Sequence, residues 1–364
     1  MPLVQSAITI FLFFFILGTL VVIHELGHFI TARLAGVRVL EFGVGFPPRA
    51  KVLRAKGETL YTLNWLPIGG FVKLEGEDGD AADDPRSFVN ASLPTRLIIL
   101  VAGVAMNVVL AFAIFTMIAL VATPFVGVRF YEVTPGSPAA AAGLQPGDAI
   151  VAIDGERYEF FGGRSVIDGL RAHAGDQITL TITRADGRRE EVPVKLREEA
   201  PGQGVLGISQ NDRPWEAYFF GEYTGHDPGT AVSIGLTETA RSLGLILDGL
   251  GQLVGSVARN PTAPPPVAGP IGIAIQIGDI FWNAGPVMTL YVAGILSANL
   301  ALVNILPFPP LDGGRMFVMV LKSLFGTRIS VRAERLTYFV GFVFLFAFLI
   351  WITGFDILRS LRGG

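Results

Sequence analysis

Cysteine is absent from this chain, which excludes disulfides, iron–sulfur clusters and thiolate metal sites together. Charge is scarce as well. Asp, Glu, Lys and Arg make up 16% of the 364 residues, where a soluble domain carries about 25%. Half of the chain (51%) is apolar and the mean hydropathy is +0.53, a balance that points to membrane segments. A net charge of −3 lacks the basic excess of a nucleic-acid-binding surface, so no nucleic acid is expected among the partners. Histidine is limited to His24, His28, His173 and His226. Any metal centre must draw on these and on carboxylates.

What is present reads as a polytopic α-helical membrane protein of about four transmembrane helices, with a small β-rich domain inserted. Residues 7–23 are uncharged, near the lower limit for a bilayer span, and a helical pattern continues to about residue 34. The preceding residues lack Lys and Arg, so a membrane span is expected rather than a signal peptide. Residues 40–75 are basic, then Gly-rich. The alternation in TLYTLNWLPIGGFVKLEG predicts a hairpin of short strands. A second span is expected at 97–121, which closes a first membrane half at 1–122. Residues 125–197 carry strand-like runs between PGS, PGD, DG and ADG turns.

Residues 198–286 read as a polar linker, then an amphipathic helix at 231–257. Glu238, Arg241 and Asp248 keep that helix at the interface. The second membrane half, 287–364, predicts spans at 287–306 and 336–352. Basic residues gather between the first two spans (Arg33, Arg38, Arg49, Lys51, Arg54, Lys56) and between the last two (Arg315, Lys322, Arg328, Arg332, Arg335). Both loops are therefore expected in the cytoplasm, with both termini and the β-rich domain on the other side.

His24-Glu25-Leu26-Gly27-His28 is an H-E-x-x-H pattern. Positions i and i+4 of a helix share one face, so two imidazoles can reach one Zn²⁺ while the glutamate serves a bound water as general base. The motif interrupts an apolar span. Ionisable groups there cost roughly 2.5–3.5 kcal/mol to insert and so face a protein interior or a wet cavity. Catalytic zinc takes three protein ligands and keeps one open position. His173 and His226 fall in the β-rich and linker regions, which leaves a carboxylate from another span. Asp312 is the leading candidate. It follows Asn304-Ile305-Leu306-Pro307-Phe308-Pro309-Pro310-Leu311, whose prolines cannot remain regular helix. An ordinary Pro-Gly turn leaving the membrane is the alternative for this segment taken alone.

The HELGH of the first span and the late NILPFPPLDGG, in this order and placement, resemble the signatures of the site-2 protease family, specifically its bacterial RseP-type members. The resemblance extends over essentially the whole chain. It implies an intramembrane zinc metalloendopeptidase with one Zn²⁺, held by His24, His28 and Asp312, and with Glu25 as catalytic acid/base. It further implies that Asn304 holds the substrate backbone and that residues 61–74 pair with an extended substrate. The stretch GSPAAAAGLQPGDAIVAIDGE is similar to the core of bacterial PDZ domains, which implies a single PDZ-like domain at 125–197 that gates substrates or binds a peptide. The family's second-span G-P-x-x-N pattern reads Gly103-Val104-Ala105-Met106-Asn107 here, with valine for proline. Gly103 and Asn107 are candidate substrate-binding positions. For Asn107, interhelical packing is an equal alternative. The implied substrates are single-span membrane proteins, anti-sigma factors or signal-peptide remnants, in a bacterial inner membrane.

A membrane scaffold with an inert metal motif would be a different class, but nothing in the catalytic set is missing. A metal transporter would show matched internal repeats with broken helices, and none is visible.

Overall fold

The computed structural model describes residues 2–55, 57–77, 83–199, 204–208, 216–260, 263–325 and 331–361. Lys56, Arg328 and parts of the 198–286 linker (200–203, 209–215, 261–262) lie outside the described residues. Two compact units divide the chain. The first comprises residues 1–115, 235–283 and 288–364, and the second residues 116–234 with 284–287.

The first unit holds α1 (Pro2–Leu34), a hairpin of β1 (Val39–Arg54) and β2 (Leu60–Leu74), and all or most of α2 (Leu93–Val121) and of α5 to α8. These last four are α5 (Pro228–Arg259), α6 (Pro270–Ile305), α7 (Asp312–Phe325) and α8 (Val331–Leu361). Among the described residues 4 helices are long and apolar enough to cross a membrane: Leu3–Leu34, Leu93–Val121, Pro270–Ile305 and Leu336–Leu361. The first carries no charged side chain from Pro2 to Ile23, and His24, Glu25 and His28 follow in its last third.

All four helices extend beyond the spans expected from the residue pattern, the third and fourth by the most. The third span starts at Pro270 instead of 287. It contains a break at Gly285 (φ 84°, ψ 179°) followed by Pro286. The fourth runs past Asp356, which is buried. Its carboxylate accepts the N–H of Gly269 at 3.1 Å and of Gly272 at 2.8 Å, so it caps the start of α6. In α5 the buried stripe is Ala231, Glu238, Thr239 and Ser242, while Leu236, Leu245 and Val254 are exposed. The Tyr291 hydroxyl of α6 donates to Glu238 at 2.8 Å, which satisfies the buried carboxylate.

The hairpin is more folded than two plain strands. Residues 39–44 of β1 pair with 70–74 of β2 and also lie beside 60–63, while 49–54 pairs with 61–64. Each strand doubles back on itself. Gly45 and Gly69, at φ 79° each, provide the bends beside Pro47-Pro48 and Pro67. A cluster of Ala32, Val37, Val39, Leu74, Phe88, Ile99 and Leu100 fastens the hairpin to the end of α1 and the start of α2. Ile16 and Leu20 of α1 pack on Ile277 and Ala293 of α6.

The second unit contains a five-stranded sheet in the order β6-β5-β4-β3-β7, with neighbouring strands antiparallel. Its strands are β3 (Thr123–Arg129), β4 (Ala149–Ile153), β5 (Gln177–Thr183), β6 (Arg189–Lys195) and β7 (Glu216–Thr224). The short helices α3 (Pro138–Ala141) and α4 (Val166–Ala172) cover it. Ser137 caps the first of them, and a Ser165–Asp168 capping box opens the second. Phe130, Ile150, Ile153, Leu180, Ile182 and Leu206 are at the centre of its core. β7 falls inside the stretch that reads as polar linker.

Candidate metal centre

The helix α1 presents His24 and His28 on one face, both buried at 5% and 7% exposure. It can do so because Gly27 lies against α2. A Cβ there would overlap the carbonyl of Ala102 and stand 2.7 Å from its carbon. On the facing turn, a Cβ on Gly103 would overlap the His28 ring and come within 2.9 Å of His24 Cε1. Small residues on both helices let the backbones approach until the rings fill the crossing. α2 is an unbroken helix through Val104, so valine in place of the family proline leaves no break.

Asp312 reaches the same point from the other half of the chain. The α6 helix ends at Ile305, residues 306–311 are non-helical, and Asp312 opens α7. The two glycines after it are sterically required. A Cβ on Gly313 would overlap the Ile305 carbonyl, and one on Gly314 would sit 2.5 Å from Pro309 N. The LDGG sequence thus folds the start of α7 tightly under the unwound segment and aims the carboxylate at the imidazoles.

His24 Nε2, His28 Nε2 and Asp312 Oδ2 form a triangle with sides of 3.2, 2.9 and 3.3 Å. Tetrahedral zinc with ligands at roughly 2.0–2.1 Å places them about 3.3–3.4 Å apart, so the triangle has the size of one face of such a site. Its chemistry agrees. His28 Nδ1–H donates to the Ile99 carbonyl at 2.8 Å. In the neutral ring this leaves Nε2, which faces His24 and Asp312, with the lone pair a metal would take. A lone pair and a carboxylate aimed at one point inside a protein need a cation between them. Among the described residues this is the only group of three or more His, Cys, Asp and Glu side chains that could hold a metal ion.

Other side chains complete the surroundings. Asn304, in the last turn of α6, has Nδ2 at 3.4 Å from His24 Nε2. Asn107 is fully buried, with Nδ2 at 3.3 Å from His24 Nδ1. Among the described residues its Oδ1 has no hydrogen-bond partner. A half turn of the amide would bring that acceptor to His24 Nδ1–H and satisfy both groups. Asn107 and Gly103 therefore lie against the imidazoles, behind the triangle.

Glu25 lines a cavity of about 230 Å³ together with His28, Asp312, Gly70, Phe71 and Arg315. Gly70 of β2 is close to it: a Cβ there would be 3.7 Å from Glu25 Cγ. Sequence reasoning placed neither His173 nor His226 here, and the centre contains neither. It missed four participants. Ile99 contributes only a backbone carbonyl, which no sequence pattern marks. Ser297 is fully buried and donates to the Asn107 carbonyl at 2.8 Å. It precedes Asn304 by seven residues, a spacing that keeps one helix face and could have revealed it. Arg315 follows LDGG directly and pairs with Glu77, the other missed residue, at the end of the hairpin.

A polytopic membrane protein with two helical histidines, an intervening glutamate and a carboxylate from a second span has the make-up of a membrane-embedded metallopeptidase. The model of peptidase family M50 matches residues 12–348, and the chain belongs to that family, the site-2 proteases. It is similar to the zinc metalloprotease RasP of Geobacillus kaustophilus, at 27% identity over 98% of this chain and 99% of the relative. RasP of Bacillus licheniformis is 27% identical over 96% and 99%. A zinc metalloprotease homologue from Clostridium perfringens is 32% identical over 94% and 96%. The chain is accordingly a membrane-embedded zinc metalloprotease of the RseP type, and its cofactor is Zn²⁺.

Proposed function

We propose that the chain hydrolyses peptide bonds of single-span membrane proteins within the bilayer, with His24, His28 and Asp312 holding the metal and Glu25 moving the proton. The observation that carries this is the triangle of ligand atoms beside a cavity lined by Glu25. Zinc supplies Lewis acidity there, which makes water acidic enough to react near neutral pH. Glu25 accepts the proton from the attacking water and delivers it to the departing amine. His28 is held in one tautomer by Ile99, and His24 by Asn107, so neither ring must reorient during turnover.

A peptide bond in a membrane helix is shielded by its own hydrogen bonds, so the substrate must unwind before it is cut. Gly70, Phe71, Val72 and Leu74 of β2 line the cavity, and among the described residues the ladder partner of this stretch lies on one side only, in β1. An extended substrate adds to this edge as a strand. Asn304 anchors its backbone beside the metal. The sheet of the second unit is read as a PDZ-like domain that admits substrates by size or holds a peptide tail. Its GSPAAAAGLQPGD segment supplies the Ser137 cap and the short helix α3. The basic loops favour a position outside the cytoplasm for it and for both termini, and the membrane in this reading is a bacterial inner membrane. Anti-sigma factors and signal-peptide remnants are the substrate classes this reading favours.

The direct test is purified protein in lipid vesicles with a single-span reporter. Wild type should cut the reporter within its span, Glu25→Gln should not, and a zinc chelator should stop the reaction reversibly. Cleavage that survives both zinc removal and Glu25→Gln would overturn this reading.

A further inference from the structure

A second cavity, of about 320 Å³, lies at the Leu34 end of α1 and shares no lining residue with the metal centre. Arg33, Arg54 and Arg86 line it, with Glu58 as the one carboxylate among its lining residues. Arg86 is paired with Glu58, at 2.8 and 3.1 Å. Arg33 rests over the Phe29 ring, 5.6 Å from its centroid. Among the described residues no carboxylate pairs with Arg33 or Arg54. The cavity therefore has two uncompensated positive charges.

Its floor leaves room for a ligand. Gly36 and Gly57 line it in left-handed conformations, φ 77° and 107°, and an added Cβ at either would meet nothing within 4 Å. Thr59 and Tyr61 add polar groups to the wall. Apolar side chains stand next in sequence to the two free arginines. Leu34 is 83% exposed and Leu53 57%, and Ile30 is exposed one turn earlier on α1. A water-soluble anion would have no use for such neighbours. An amphiphile with an anionic head and hydrocarbon tails matches both features.

We propose that this cavity binds the phosphate of an anionic phospholipid, with Arg33 and Arg54 as its cationic contacts and Ile30, Leu34 and Leu53 against the acyl chains. Arg33 lies little more than one helical turn beyond His28. A lipid held there fixes the depth of the α1 end, and with it the depth of the metal centre. The proposal needs a membrane-embedded chain but does not depend on which peptide is cut or on which residues bind zinc.

The test is native mass spectrometry of the full chain in mixed micelles holding equal amounts of dioleoyl phosphatidylglycerol and dioleoyl phosphatidylcholine. Wild type should retain one phosphatidylglycerol in clear preference to phosphatidylcholine. R33Q/R54Q should lose that preference at least tenfold while keeping its zinc. If the double variant does not fold, R54Q alone, at an exposed position, should show a smaller drop in the same direction. R164Q/R171Q removes equal charge from the second unit and should leave retention unchanged. Equal retention of both lipids by wild type would overturn the proposal, and so would an undiminished preference in the folded arginine variants. Release of the lipid by millimolar inorganic phosphate would replace the lipid with a soluble anion as the ligand, which also overturns it.

Discussion

Gly103 and His28 are packed so closely that a methyl group on the glycine would overlap the imidazole ring, 2.5 Å from Cε1. Alanine is normally the better residue in a helix, by roughly 1 kcal/mol. Here Gly103→Ala should do harm, since the ring cannot move without leaving the metal triangle. The expected outcome is a correctly inserted protein that loses zinc to a chelator far faster than wild type. Zinc content measured after timed dialysis decides it. Unaltered retention would show that α2 can shift away, and the close approach would then have no bearing on the metal.

Asp312→Ala removes the carboxylate corner of the triangle and leaves two imidazoles. Catalytic zinc rests on three protein ligands, so the purified variant should contain well under one zinc per chain. Elemental analysis against wild type measures this. Full zinc in Asp312→Ala would exclude Asp312 from the centre.

Glu25→Gln keeps the size and packing of the side chain but cannot accept a proton. Zinc should be retained and cleavage lost by at least about 10², the lower range for a general base. Near-normal turnover in this variant would mean that another group activates the water.

The metal centre was largely legible because its chemistry is written in local patterns. H-E-x-x-H brings two imidazoles to one helix face by spacing alone, and the prolines before Asp312 announce unwound backbone. The supporting contacts were less legible, since they depend on which backbones meet. His28 is oriented by the carbonyl of Ile99, a group every residue owns. Gly103 reads as a packing glycine until the rings are seen beside it. Asn107 reads equally as a packing or a functional residue, and only the fold turns it toward His24. In the membrane region the fourth span is expected to end at 352, whereas α8 continues past Asp356 to Leu361. The burial of Asp356 is possible because the N–H groups of Gly269 and Gly272 meet it there, and nothing near residue 356 in sequence signals that. The β7 strand was hidden because its pairing partner, β3, lies some ninety residues upstream.

The sheet of the second unit can be removed more cleanly than the turn pattern suggested. Thr123 and Thr224 are ladder partners at one end of the β3–β7 pair, so the two chain ends there are adjacent. Excising residues 124–223 and joining the ends with a short Gly/Ser bridge takes out all five strands together. A cut at 125–197 would leave β7 without its partner. If this unit filters substrates, the deletion should bind zinc and cut both trimmed and untrimmed reporters. A folded, zinc-loaded deletion that cuts neither would mean that the unit delivers substrate directly.

Substrate unwinding can be tested through Asn304, whose amide nitrogen is 3.4 Å from His24 Nε2 at the point where α6 ends. A stable substrate helix offers no free backbone groups to this amide or to the residue 70–74 edge. The substrate span must be locally weak first. Glycine and proline lower helix stability by about 1 and about 3 kcal/mol respectively in an exposed helix. In a bilayer the freed groups also need new partners, which Asn304 and β2 are placed to provide. Gly or Pro beside the scissile bond of a slow reporter should therefore speed its cleavage, and a Leu/Ala-rich span should slow it. Asn304→Ala should blunt the gain, because the extended segment loses one anchor. The measurement is a comparison of rigid and weakened reporters with wild type and Asn304→Ala enzyme. Equal rates for both reporters with wild type would remove the unwinding step. Equal enhancement in both enzymes would keep unwinding and take the anchoring role from Asn304.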